Sequence, residues 1–236
     1  MLSPQLDLYK NMSPYLKDMS VLEVGSGTGF GSIQIGRYAE YYVGVDTDDD
    51  AVEFADECLA TEKSTFFTAD ICDMDTMLNI TGYEHLDAVV MVETLEHIKD
   101  YRLALSNIHK LLKPGGRLFM TARNANADLR RNDFHEREWT AQQLYDNLSE
   151  FFDTKIYNYK FEIQSPSTRI TPLIAIATKY GTIPNYTYTN STSSSIRFIT
   201  TPLYSFGSYP GPRWVEGHSK QELEGDLRTD SVIPHP

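Results

Sequence analysis

The sequence predicts an α/β fold: a doubly wound, mostly parallel sheet of seven strands with an antiparallel hairpin at its C-terminal end. Three observations carry this reading. Short apolar runs alternate with segments of helical spacing through the first half of the chain, and a glycine-rich loop sits directly between one such run and the helix after it. The 236 residues, 41% of them apolar, suffice for one domain with a substantial core but not for two full domains. Strand–helix alternation at this spacing implies parallel strands joined by right-handed crossovers, which places helices on both faces of the sheet.

Residues 1–20 form an N-terminal helical segment ahead of the domain. The run Val21-Leu22-Glu23-Val24 is brief, apolar and bounded by turn formers, and reads as the first strand; residues 41–45, 64–68, 86–92 and 117–121 share that character. Helical spacing marks residues 32–39, 49–60 and 101–112. In the last of these Ala104, Leu105, Ile108, Leu111 and Leu112 share a face. Lys113-Pro114-Gly115-Gly116 stops that helix, because Pro cannot continue it and Gly supplies the turn. Beyond the fifth strand the pattern changes. Residues 140–148 read as one more helix capped by Thr140 or a neighbour, and two strand-like stretches follow, 151–163 and 172–179, with no helix between them, as in an antiparallel hairpin. The domain therefore spans 21–180. Residues 181–236 are rich in Ser, Thr, Asn, Pro and Gly and read as a loosely ordered polar tail, with 196–206 as a segment able to dock.

Composition excludes several classes. No stretch approaches the ~18 to 20 consecutive apolar residues of a membrane span, and the N-terminus lacks the basic start and apolar run of a secretory signal, so a cytoplasmic location is expected. Cys58 and Cys72 are the only cysteines, without zinc-ligand spacing, and are expected as free thiols. A net charge of -12 disfavours long nucleic acid as a partner, since that affinity rests on Lys and Arg neutralising phosphates. Oligomeric state is not encoded in any recognisable signal.

The sharpest motif is Glu23-Val24-Gly25-Ser26-Gly27-Thr28-Gly29-Phe30-Gly31, between a strand and a helix. Glycines there let the backbone turn tightly and approach a ligand without a Cβ in the way. The dinucleotide fingerprint GxGxxG would need a third glycine where Phe30 or Ser32 stands, so a nicotinamide oxidoreductase is disfavoured. Glu23 would repel a pyrophosphate but is able to hold an ammonium group. This segment resembles motif I of the class I S-adenosylmethionine-dependent methyltransferases, whose fold is Rossmann-like. The resemblance covers residues 15–180. It implies S-adenosyl-L-methionine as cofactor, held by Glu23, Gly25, Gly27 and Gly29. Asp46, 21 residues after Gly25, matches the family's ribose-binding acid, while Asp48, Asp49 and Asp50 suit helix capping. Asp70 matches the adenine-reading acid, with the backbone amide of Ile71 as its companion; a surface turn is the alternative there.

The fourth strand runs into Glu93-Thr94-Leu95-Glu96-His97, at the end of the sheet that lines the ligand crevice in open parallel folds. A helical turn brings Glu93, Glu96 and His97 together. The pattern resembles that of ubiquinone-biosynthesis O-methyltransferases and of small-RNA 3′-terminal 2′-O-methyltransferases, with a later histidine matched here by His135 in Phe134-His135-Glu136-Arg137-Glu138-Trp139-Thr140. The resemblance implies that Glu93, Glu96, His97 and His135 hold Mg²⁺ or Mn²⁺; polar residues lining an acceptor pocket without metal are the other reading. His97 and His135 are the candidate general bases. His109 reads as an exposed or last-turn cation. Arg123, Asn124, Arg130 and Arg131 form a local basic cluster, and Tyr9, Tyr15, Trp139, Tyr204 and Trp214 are scattered aromatics. The expected activity is O-methylation of a small hydroxylated molecule or a glycan unit. The rivals are a metal-dependent RNA 2′-O-methyltransferase and a non-enzymatic adenosylmethionine-binding protein.

Overall fold

The computed structural model describes residues 4–82, 84–127 and 134–180. The tail 181–236, with its segment 196–206, Tyr204 and Trp214, lies outside the described residues, as do Arg130 and Arg131. Helix α1 (Pro4–Met12) and a short 3-10 turn (Ser13–Leu16) lead into β1 (Ser20–Val24). There follow α2 (Phe30–Ile35), β2 (Tyr41–Asp46), α3 (Asp49–Leu59), β3 (Ser64–Thr68), α4 (Met74–Thr81) and β4 (Leu86–Val92). A second 3-10 turn (Leu95–His97) precedes α5 (Tyr101–Leu111) and β5 (Leu112–Ala122), and the series closes with α6 (Ala141–Ser149), β6 (Phe152–Tyr157), β7 (Ile163–Gln164) and β8 (Leu173–Lys179).

The strands form one sheet in the order β3-β2-β1-β4-β5-β8-β6-β7, parallel as far as β5 and antiparallel beyond it. Strand β4 shows why its sequence is apolar at successive positions rather than alternating. Val89 and Met91 face a core under α4, α5 and α6, whereas Ala88, Val90 and Val92 face a second core under α1, α2 and α3. A strand covered on both faces has no solvent side on which to place polar residues.

The architecture is the expected one, with eight strands in place of seven. The stretch 151–163 divides because Asn158 turns the chain: its Oδ1 accepts from the amides of Lys160 and Glu162, and a short β7 then pairs back on β6. Helix α4, which the apolar pattern did not mark, begins at the N-cap Asp73, whose Oδ1 accepts from Thr76 N, and ends at Gly82. It buries Met77 and Thr81 fully and packs Met74, Leu78 and Ile80 partly buried against the core, but at eight residues it is too short for that spacing to stand out. Helix α2 starts at Phe30, two residues early, and stops at Ile35, four short of 39. The Lys113-Pro114-Gly115-Gly116 stop does end α5, yet the chain is already extended from Leu112, with a register shift against β4 between Leu86 and Ala88.

Strand order reverses between β1 and β4, so the connections leaving their C-terminal ends part company, β1 toward α2 and β4 toward α5. A crevice opens at such a switch point.

Candidate active site

The glycine loop after β1 is tied to the end of β2. Gly25 N and Ser26 N both donate to Val45 O, at 2.8 and 3.1 Å, and Gly27 N donates to Asp46 Oδ2 at 2.7 Å. Gly25, Gly27 and Gly29 have φ of +75, +50 and +81°, a backbone region that a side chain makes costly. The loop also passes tightly under the segment after β4: a Cβ on Gly25 would stand 2.5 Å from the Thr94 side chain. Around Gly27, by contrast, an added Cβ would meet nothing within 4 Å.

The loop forms one wall of a cleft of about 590 Å³, a size in the range of small-molecule sites. Gly25, Asp46, Asp70, Ile71, Glu93 and His97 line it, together with Thr47, Ala69, Cys72 and Thr94. Asp46 Oδ1 accepts from Asp48 N at 3.1 Å, and Asp70 Oδ1 accepts from Cys72 N at 2.8 Å, so each acid is oriented by one turn yet keeps lone pairs for a ligand. Asp48 is the N-cap of α3, accepting from Asp50 N and Ala51 N. Asn107 of α5 holds the carbonyls of Ile71 and Cys72 from below. Acids on two neighbouring strand ends, beside an open glycine backbone, fit a nucleoside with hydroxyls on one side and an amino-bearing base on the other.

Glu23 stands elsewhere. It is 0% exposed, and its carboxylate does not line the cleft. The Tyr9 hydroxyl donates to Oε1 and the Tyr42 hydroxyl to Oε2. Burial pushes its carboxyl up to about 7, against the pull of the two phenols.

Glu93, Glu96, His97 and His135 do come together. Glu93 occupies a left-handed backbone position, φ +53°, directly at the end of β4, and its Oε1 accepts from Thr121 Oγ1 at 3.2 Å. Glu96 is 1% exposed, lies against the Glu93 carboxyl, and neither of its oxygens has a hydrogen bond of good geometry. Burial, then the neighbouring carboxyl, pushes Glu96 up to about 7; burial likewise raises Glu93. The rings of His97 and His135 meet edge to face at 4.8 Å. His97 Nδ1 is 3.1 Å from Phe134 O, and His135 Nδ1 is 3.2 Å from Glu138 Oε1. These contacts turn the four groups toward different partners. Among the described residues, no three His, Cys, Asp or Glu side chains are disposed to share one metal ion.

Several contributors lacked a local signal. Glu138 orients His135 and lies 3.7 Å from Arg123 Nη1. The Arg137 guanidinium stacks on Tyr101 at 4.3 Å and donates to Lys99 O, so that it braces the Lys99 wall of the cleft against the segment carrying His135. Asn124 is buried and holds the carbonyls of Thr168 and Ile170, which makes it structural rather than part of a basic patch. His109 is no exposed cation: burial, with Lys179 and Lys110 nearby, lowers it to about 4. Cys58 and Cys72 are free thiols, and no helix among the described residues is long and apolar enough to cross a membrane.

Residues 16–174 match the family described as a methyltransferase domain. An uncharacterised methyltransferase of Schizosaccharomyces pombe is 30% identical over 125 residues, 51% of this chain and 44% of that protein. The mitochondrial ubiquinone biosynthesis O-methyltransferase of Homo sapiens is 33% identical over 115 residues, 46% of this chain and 30% of that protein. The chain thus spans less than half the length of these curated relatives. Among solved structures, the YcgJ protein of Bacillus subtilis superposes with a TM-score of 0.58 at 14% identity, covering 74% of this chain and 97% of that one. A possible histamine N-methyltransferase from Thermotoga maritima gives 0.57 at 17%, covering 74% and 88%. With the fold, the glycine loop and the match over residues 16–174 in agreement, the chain belongs to the methyltransferase-domain family, of the class I type that uses S-adenosylmethionine.

Proposed function

We propose that the protein transfers a methyl group from S-adenosylmethionine to a hydroxyl of a small molecule or glycan unit. The observation that supports this reading is the shared cleft lined by Gly25 of the glycine loop, by Asp46 and Asp70 on adjacent strand ends, and by Glu93 and His97. S-adenosylmethionine, when bound, supplies an electrophilic methyl carbon on a sulfonium. Asp46 would take the ribose hydroxyls, Asp70 and the Ile71 amide the adenine, and the loop at Gly25 and Gly27 the backbone approach.

The chain's remaining task is to hold an acceptor hydroxyl in line, about 3 Å from that carbon, and to remove its proton. The imidazoles suit the second part. A carbonyl oxygen only accepts, so His97 Nδ1, 3.1 Å from Phe134 O, carries the hydrogen and leaves the lone pair on Nε2. Glu138 fixes His135 in the same tautomer. The Nε2 of His97, which lines the cleft, would accept the hydroxyl proton as the oxygen attacks; His135, 7% exposed and outside the cleft lining, would do so only for an acceptor that reaches past His97. Mg²⁺ or Mn²⁺ at Glu93, Glu96, His97 and His135 would require these side chains to turn from their present partners, since among the described residues no three of them are disposed to share one ion.

Isothermal titration with S-adenosylmethionine, S-adenosylhomocysteine and NAD tests the cofactor; micromolar binding of the first two and none of NAD is expected. With an acceptor found, His135→Ala is expected to lower kcat by about 10²- to 10⁴-fold while cofactor affinity stays within about twofold. Turnover that survives EDTA assigns activation to imidazole; turnover lost to EDTA and restored by Mn²⁺ assigns it to the ion. An unchanged kcat in His135→Ala would sink the assignment of that residue.

A further inference from the structure

Glu23 is the acid of the glycine motif, yet its carboxylate is sealed beneath the loop rather than directed at the cleft. A buried carboxylate is costly unless both oxygens are satisfied. Here one donor comes from β2, through Tyr42, and the other from α1, through Tyr9. The same carboxylate is pressed against the first turn of α2: a methyl on Gly31 would overlap Oε2. Helix α1 is itself anchored on this face. Met12 and Leu16 are fully buried, Ser13 Oγ donates to Tyr9 O at 2.6 Å, and Tyr9 is 7% exposed. Four elements thus meet at one side chain, and α2 begins where the glycine loop ends.

We propose that Glu23 is a positioning residue, whose carboxylate fastens helix α1, through Tyr9, to the first turn of α2 and so couples docking of the N-terminal helix to the conformation of the glycine loop. When α1 lifts, Glu23 loses a donor and gains water, and the α2 turn loses the surface that packs it; when α1 docks, the loop is held in the form that receives the cofactor. The link itself is a property of the protein alone. Its consequence for affinity rests on the cofactor reading above.

Hydrogen exchange on the unliganded full chain tests the link. In Tyr9→Phe, which deletes one oxygen and no apolar volume, the amides of residues 25–31 are expected to exchange at least about threefold faster, with those of β5 and β8 unchanged. Tyr42→Phe, which leaves the tie to α1 in place, is expected to move residues 25–31 less. Unchanged exchange at 25–31 in Tyr9→Phe, or equal effects of the two variants, would overturn the proposal. In the binding arm, Tyr9→Phe and Glu23→Gln each weaken S-adenosylmethionine by roughly three- to tenfold, and the double variant weakens it no further. Additive losses, or a loss confined to Glu23→Gln, would mean that Glu23 touches the cofactor directly. A wild-type protein with no affinity for S-adenosylmethionine would defeat the methyltransferase reading, while the exchange arm would still decide the link.

Discussion

Asp46 serves two masters at once. Its Oδ2 holds Gly27 N and its Oδ1 holds Asp48 N, so the group assigned to the ribose also pins the glycine loop to the start of α3. Asp46→Asn removes the charge from both tasks and the acceptor from one of them, since the amide keeps a single carbonyl oxygen. Loss of a charge-assisted hydrogen bond is worth about 1.5–3 kcal/mol, and titration calorimetry is expected to show at least a tenfold weaker S-adenosylmethionine. The Glu23 carboxyl makes a separate prediction about pH. It stands near 7 in the folded chain, above its ordinary 4.5, so between those values the folded protein binds more protons than the unfolded one. The stability it contributes is complete below about 4.5 and is lost as pH rises through 7. Glu23→Gln removes that dependence, so urea denaturation should show the variant gaining on the wild type from pH 5 to pH 8. A constant difference across that range would mean that Glu23 keeps an ordinary pKa in the fold.

At the scale of elements, the turn between the glycine loop and α2 is the tightest place. Gly31→Ala drives a methyl into Glu23 Oε2, and overpacking of this kind costs about 1–3 kcal/mol. Thermal melting is expected to show the loss, and to show it shrink in a Glu23→Ala background, where the opposing group is gone. The elements themselves differ in how far the sequence reveals them. Strands β1, β2, β4 and β5 are legible because burial on both faces makes each a mostly apolar run between turn formers, whereas the edge strand β3 is exposed at Thr65, Phe67 and Thr68 and stands out by its aromatic and β-branched residues. The capping box of α6, in which Thr140 accepts from Gln143 N and Gln143 Oε1 accepts from Thr140 N, is legible for a local reason: both partners lie within one turn. Helix α4 is not, since its eight residues place Met74, Met77, Leu78 and Ile80 on the core within too short a span for a period to be read. The site divides in the same way. Asp46 and Asp70 can be read off as acids that end strands. The surroundings of Glu23 cannot, because Tyr9 and Tyr42 lie 14 and 19 residues away and meet it only once α1 and β2 have packed. The partner that orients His135, Glu138, sits three residues on, but nothing in the spacing distinguishes it from a solvated acid until the loop closes on Glu96 O through Glu136 N.

For the molecule as a whole, the net charge of -12 sets what approaches it. A phosphate polymer is expected to be repelled at long range, and screening at about 150 mM salt does not supply the cations that binding needs. Filter binding with a homopolymeric RNA at that salt is expected to retain none of it; retention comparable to that of a basic protein would revive an RNA acceptor. The sheet carries a different consequence. Strand β8 is the last described element of the chain, yet it sits between β5 and β6. During synthesis, β5 therefore emerges from the ribosome with one edge bare, and β6 and β7 emerge with no berth. Neither is resolved until residues 173–179 have cleared the exit tunnel and slipped between them. The order of translation and the order of assembly are out of step by one strand, and for that interval the nascent domain holds open an edge that any passing extended peptide is able to occupy.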